Sequence, residues 1–339
     1  MEAYKKSSIA NCRVVLGGVE FAALLRAKTQ LQHISRKNVR HRAAVAACLV
    51  HGVSVVERDR QKQREGSQAF ASPWWKSLNF KMVSQLQDDV DSSIFGAIYK
   101  FEPPASYSNL SIDGCPYYVI AFRGTLLKRK SFKRDLELDF HILRNTLDTT
   151  SRFEIAMRAV RDMVASVGSS NVWLAGHSLG SAIALLVGKT MAKEEYLLAS
   201  FLFNSPYPSV PIEKIVPEKV HHVFRGAVNV VRAGVALAEK KMSGDSSLAQ
   251  SAWVPNVFVN TADHISSGYV GYFDHKKKME EIGVGGIERL ATQLSLRGSS
   301  EPMHRIPSAN LVVNSTRSRD VHGIKRLMHA HGIKRWMNI

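Results

Sequence analysis

Residues 171–188 read Asn-Val-Trp-Leu-Ala-Gly-His-Ser-Leu-Gly-Ser-Ala-Ile-Ala-Leu-Leu-Val-Gly. An apolar, β-prone run at 172–175 meets Gly176-His177-Ser178-Leu179-Gly180, and a small-residue, helix-prone run follows at once. A strand that passes through a sharp turn straight into a helix restricts the fold more than any other feature of the chain. It is the context in which G-x-S-x-G becomes a nucleophile elbow. The turn is strained, so glycines flank it where a Cβ would clash. Ser178 Oγ stands at the tip, and the first N–H groups of the following helix point at whatever Ser178 attacks.

The rest of the chain supplies a sheet around that turn. Strand-like runs occur at 92–101, 116–123, 200–204, 256–260 and 309–314. A helical pattern covers 39–64, with Ala43, Ala44, Ala47, Leu49, Val50 and Val53 as its apolar face before charge takes over at Glu57-Arg58-Asp59-Arg60. A second helix opens at a capping box, Ser151 with Glu154, and carries the stripe Phe153, Met157, Val160, Val164. Buried strands alternating with helices predict an α/β fold with a mostly parallel central sheet flanked by helices. At 45% hydrophobic residues the chain can bury a sizeable core. Residues 1–37 read as a poorly specified N-terminal segment, and 38–339 as the catalytic domain. Within it, 219–250 is a candidate lid or insertion, since its first part is apolar with basic edges.

A serine nucleophile needs a base, an acid that orients the base, and donors for the oxyanion. On this kind of fold the order is Ser, then Asp or Glu, then His. The run 257–263, Val-Phe-Val-Asn-Thr-Ala-Asp, places Asp263 just past a strand end, where open α/β sheets gather their active sites. Asp245 and Asp274 follow no strand so directly. Six histidines come later: His264, His275, His304, His322, His329 and His331. His264 is too close to its own acid, and His275 reads as a solvated loop position beside a lysine run. His322 and His331 follow the last strand, so the base is sought there, His331 first and His322 as the alternative. The second oxyanion donor belongs at the end of an earlier strand, and Ala121-Phe122-Arg123-Gly124-Thr125 fits. Thr125 and Leu179 are the expected pair. This chemistry needs no metal or organic cofactor.

Phe122-Arg123-Gly124-Thr125 followed by Gly176-His177-Ser178-Leu179-Gly180 resembles the class 3 lipase pattern within the α/β-hydrolase superfamily. The wider text is similar to a plant branch of lipase-like proteins often labelled GDSL esterase/lipase, although the nucleophile block here is GHSLG. The matching stretches include Leu49-Val50-His51-Gly52 through Arg60, Pro73-Trp74-Trp75, Phe203-Asn204-Ser205-Pro206, Tyr269-Val270-Gly271-Tyr272-Phe273, and Ala330-His331-Gly332-Ile333 with Trp336. The resemblance covers roughly 38–337. It implies Ser178 as nucleophile, Asp263 as triad acid, and Thr125 with Leu179 at the oxyanion. It places the family's Ala-His-Gly block on His331. One departure is a second copy of His-Gly-Ile-Lys-Arg at 322–326, which keeps His322 open as the base.

The expected activity is hydrolysis of an acyl or lipid ester through an acyl-enzyme. Two rivals share the fold: an acyltransferase in which an alcohol replaces water, and a non-catalytic module that binds lipid or protein. The formal charge of +17 favours anionic partners, with peripheral contact to an anionic membrane as the expectation. No nucleic-acid-binding signature accompanies the basic clusters at 128–130, 133–134 and 276–278. Three cysteines, Cys12, Cys48 and Cys115, form no C-x-x-C pair and fit a reducing compartment. With no apolar run of membrane-spanning length, the expected location is the cytoplasm, with peripheral membrane contact.

Overall fold

The computed structural model describes residues 39–71, 74–103, 116–126, 147–207, 252–281, 306–315 and 329–338. The N-terminal segment, the 219–250 segment, His304, His322, Asp245 and the basic clusters at 128–130 and 133–134 lie outside the described residues.

Seven strands form one sheet in sequence order: β1 (Phe80–Gln87), β2 (Ile94–Phe101), β3 (Tyr118–Phe122), β4 (Val172–His177), β5 (Ala199–Phe203), β6 (Asn256–Asn260) and β7 (Asn310–Asn314). The first three are antiparallel neighbours. From β3 to β7 every pairing is parallel, with Phe122 opposite Gly176 and His177 opposite Phe203. The carboxyl ends of β3, β4, β5 and β6 therefore open on the same rim, and the predicted site segments at 123–125, 178–180 and 261–263 leave the sheet there.

Alternation along the strands splits the interior into two cores. Val119, Ala121, Trp173, Ala175, Phe201, Phe203 and Phe258 face one side. Ile120, Phe122, Val172, Leu174, Leu202, Val257 and Val259 face the other. This is the period of two expected of strands covered on both faces. Helix α1 (Val39–Gln61) packs on the first side with the C-terminal 3₁₀ segment Ile333–Asn338. Helices α2 (Ser151–Val167), α3 (Leu179–Lys193) and α4 (Gly268–Glu281) belong to the second.

Several expectations change. The first helix ends at Gln61, and its middle is buried on all sides rather than along one face: Ala43 through Val55 are buried without a break. By length and composition α1 could cross a membrane, but most of its apolar window is buried inside the fold, as in a core helix. Strand β1 adds to the strand-like runs read from the sequence. The α2 cap is Thr150, whose Oγ1 accepts from the Phe153 N–H at 3.3 Å, so the capping box at Ser151 is displaced by one residue. Ser151 Oγ instead donates to Asp88 at 2.8 Å. His275 sits exposed on α4 rather than in a loop.

Candidate active site

The turn after β4 has the geometry its sequence calls for. Ser178 is the N-cap of α3 at φ 53°, ψ −123°. That is the left-handed half of backbone space, which a serine occupies only when its surroundings hold it there, at a cost of about 1–3 kcal/mol. The holders are backbone hydrogen bonds. Ser178 N–H donates to Phe203 O on β5 at 3.0 Å, and Ser178 O accepts from Ser181 and Ala182 in the first turn of α3. The flanking glycines are steric requirements: a Cβ on Gly176 would lie 2.2 Å from Gly180 O, and one on Gly180 would lie 2.3 Å from Phe122 O. The elbow is thus pressed between β3, its own helix and β5.

The end of β3 lies against the nucleophile. A Cβ on Gly124 would lie 2.8 Å from Ser178 Cβ, so only glycine lets this backbone approach. Thr125 follows, half-buried, with its Oγ1 sequestered and without a hydrogen-bond partner among the described residues. Leu179 is the first residue of α3, where an N–H has no preceding helical carbonyl to bond. Thr125 and Leu179 both line a cleft of about 560 Å³, together with Val90, Leu147 and Ile183 and a polar rim that includes Asp88 and Arg152.

Asp263 lies in the turn after β6 and is buried. Its Oδ2 accepts from Ser266 Oγ at 2.7 Å and from His331 Nδ1 at 2.9 Å, and its Oδ1 accepts from the Ile265 N–H at 3.2 Å. Burial works against the charge, but His331 and these hydrogen bonds outweigh it and hold the carboxyl below its ordinary value. The Asp263 carboxylate can only accept, so Nδ1 is the donating nitrogen of His331. His331 is buried too, and its ring packs on that of His177 at 4.9 Å between centroids. His177 directly precedes Ser178. Ser178 Oγ itself is buried and forms no hydrogen bond among the described residues.

Among the predicted residues, the structure joins Asp263 to His331 and brings Gly124 against Ser178. His264 is exposed beside the buried Asp263. Among the described residues no group of three or more His, Cys, Asp or Glu side chains could hold a metal ion. Sequence reasoning misses Glu57 and Arg123. Glu57 is fully buried near the end of α1; its Oε2 accepts from Arg60 Nε at 2.7 Å and from the Ile94 N–H at 2.9 Å. Arg123 lies 3.9 Å from Glu57 and donates to Ile94 O at 2.6 Å and to Gly124 O at 2.8 Å. The strand exit that carries Thr125 is therefore tied to α1 and β2. A buried carboxylate whose partner at Ile94 lies 37 residues along the chain gives no local signal.

The chain is similar to known proteins over most of its length. The family model for class 3 lipase matches residues 119–207, from β3 through the elbow to the residues after β5. A protein of Arabidopsis thaliana named as a GDSL esterase/lipase is 48% identical over 325 residues, covering 90% of this chain and 91% of its own. Among solved structures, a lipase from Rhizopus microsporus var. chinensis aligns with 13% identity and a TM-score of 0.34, covering 65% of this chain and 67% of its own. Identity of 48% over nearly the whole length settles the kinship: the chain belongs to the plant esterase/lipase family of lipase-like carboxylic ester hydrolases.

Proposed function

We propose that the protein hydrolyses acyl or lipid esters with Ser178, His331 and Asp263 as a catalytic triad. The observation that carries this reading is the buried Asp263–His331 hydrogen bond at 2.9 Å, beside a serine held at positive φ on a helix N-terminus. Ser178 Oγ attacks the ester carbonyl while His331 Nε2 takes its proton. Asp263 keeps the imidazole in the Nδ1–H tautomer and compensates the imidazolium. The carbonyl oxygen becomes an oxyanion that takes hydrogen bonds from the Leu179 and Thr125 donors. Collapse of the tetrahedral species expels the alcohol, protonated by His331, and leaves an acyl-enzyme. Water, activated by the same imidazole, then releases the acid. The cleft beside Thr125 and Leu179 takes the acyl part, with Leu147 and Ile183 as apolar walls.

Pre-steady-state hydrolysis of a p-nitrophenyl ester tests this reading. An acyl-enzyme predicts a burst of one p-nitrophenol per protein, abolished in Ser178→Ala. Adding a competing alcohol distinguishes hydrolysis from acyl transfer, because a transferase would divert the product into a new ester. Folded wild-type protein that gives neither burst nor turnover with short or long acyl esters would overturn the reading.

A further inference from the structure

The main-chain carbonyl of His331 accepts two side-chain hydrogen bonds, from His177 Nε2 at 2.6 Å and from Asn204 Nδ2 at 2.8 Å. The same Asn204 amide reaches Ala330 O at 3.1 Å, and its Oδ1 accepts from Trp336 Nε1 at 3.2 Å. The two donors stand at the ends of adjacent parallel strands: His177 is the last residue of β4, and Asn204 directly follows β5. Asn204 is fully buried at φ 46°, with its N–H bonded to Phe258 O at 2.8 Å. Both donors are therefore anchored in the sheet, whereas His331 belongs to a C-terminal segment that follows the last strand of that sheet.

Chemistry fixes the role of His177. A carbonyl can only accept, so Nε2 of His177 carries the proton and its ring is a donor at that atom. Burial pushes the His177 imidazole down to about 3, and the neighbouring His331 adds to the effect, so the ring stays neutral while it donates. Its other nitrogen faces the Gly124 backbone. His331 is thereby held at two points, its ring by Asp263 and its carbonyl by His177 and Asn204. Two anchored points on one residue restrict both its backbone position and its ring orientation, which is what a base must keep to meet Ser178.

Resting on the triad reading above, we propose that His177 and Asn204 are positioning residues for the base, and that the histidine of the GHSLG turn serves His331 rather than Ser178. The pentapeptide and the Phe203-Asn204 stretch then act as one clamp on the Ala330-His331 segment, with Trp336 fixing the orientation of the Asn204 amide.

The test compares three variants with wild type and Ser178→Ala, each checked for folding by thermal melt and assayed for kcat and KM on one p-nitrophenyl ester. His177→Phe keeps an aromatic ring, somewhat larger than imidazole, and removes the donor. His177→Gln loses the ring but can return an amide N–H near the Nε2 position. Asn204→Gly accepts the positive φ without strain and removes the second donor. The expected result is a fall in kcat of about 30- to 100-fold for His177→Phe at unchanged KM, since small misplacements of a catalytic group cost on that order. His177→Gln should stay within about threefold of wild type, and Asn204→Gly should lower kcat alone in the same way. A purely packing role predicts the reverse order for the two His177 variants. If Ser178→Ala retains hydrolysis, the triad reading falls and this inference with it. If Ser178→Ala is inactive while His177→Phe, or Asn204→Gly where His177→Phe does not fold, keeps the wild-type kcat, this inference alone is overturned. It is overturned equally if His177→Gln is as impaired as His177→Phe.

Discussion

Asp263 and His331 are 68 residues apart in the chain, yet the carboxylate and the imidazole meet at 2.9 Å, both buried. One comes from the turn after β6 and the other from a C-terminal segment packed beside α1. Asp263→Asn leaves the shape of this contact and removes its charge and its preference for the Nδ1–H tautomer. We expect kcat to fall by about 10⁴, and the melting temperature to fall as well, since the depressed carboxyl stabilises the folded state at neutral pH. Steady-state kinetics with a melting curve checks it; a loss below about tenfold would mean that Asp263 does not orient the base.

Gly180 and Gly271 make a controlled pair. A Cβ at 180 would lie 2.3 Å from Phe122 O and 2.5 Å from Arg123 O, and backbone cannot step aside as a side-chain tip can. Gly180→Ala should destabilise the fold by about 1–3 kcal/mol or more. Gly271 is exposed on α4 with open space around its Cβ position. Gly271→Ala should stabilise by about 0.5–1 kcal/mol through helix propensity. Denaturant titration of both variants gives the two signs directly.

Glu57 neutralises a buried neighbourhood. Removing it in Glu57→Ala leaves Arg123 buried with its closest acidic partner gone and the Ile94 N–H without its acceptor. The expected cost is about 3–5 kcal/mol. Arg60 bonds to the same carboxylate, but its side chain is 38% exposed, so Arg60→Ala should cost about 1 kcal/mol or less. Equal losses in the two variants, read from urea midpoints, would contradict this ranking.

Acid should begin to weaken the protein well above the carboxylate range. Burial, helped by Arg58, pushes His51 down to about 4 from an ordinary value of 6.5. Between those values the unfolded chain binds a proton that the folded chain refuses, so stability falls as pH drops from 6.5 toward 4. His51 alone contributes up to about 1.4 kcal/mol per pH unit across that window. The lowered carboxyl of Asp263 acts separately: its contribution is full above the ordinary carboxylate value and is lost as pH falls through its folded value. Unfolding titrations at pH 7, 6 and 5 should show a shallower slope in His51→Gln than in wild type. Identical slopes would contradict the assignment.

The parts of the site that are legible in the sequence are those whose signal is local. The elbow declares itself through a continuous apolar strand, two glycines and a helix-forming run, all within 171–188. Asp263 follows a buried strand directly. The choice between His331 and His322 is not local, because His-Gly-Ile-Lys-Arg occurs twice. The contacts around His331 are long-range: Ala330 and Trp336 are buried, and Asn204, distant in the chain, reaches both Ala330 O and His331 O. Strand β1 escapes because it is an edge strand with mostly exposed residues, and Lys, Ser and Gln break its alternation. Glu57 and Asp59 stand where charge takes over at the end of a helix, yet both are buried: Arg60 and Arg64 are near them in the chain, but only the fold brings the Ile94 N–H to Glu57 and the Ala71 N–H to Asp59.

The proposed triad makes Ser178 an activated nucleophile whose base is His331. The most direct measurement is labelling with a fluorophosphonate probe, with the adduct mapped by peptide mass spectrometry in wild type, Ser178→Ala, His331→Ala and His322→Ala, each shown to be folded. The triad predicts one adduct on Ser178, none in Ser178→Ala, strongly slowed labelling in His331→Ala and an unchanged rate in His322→Ala. Labelling that survives in Ser178→Ala, or that is lost in His322→Ala and kept in His331→Ala, would contradict it.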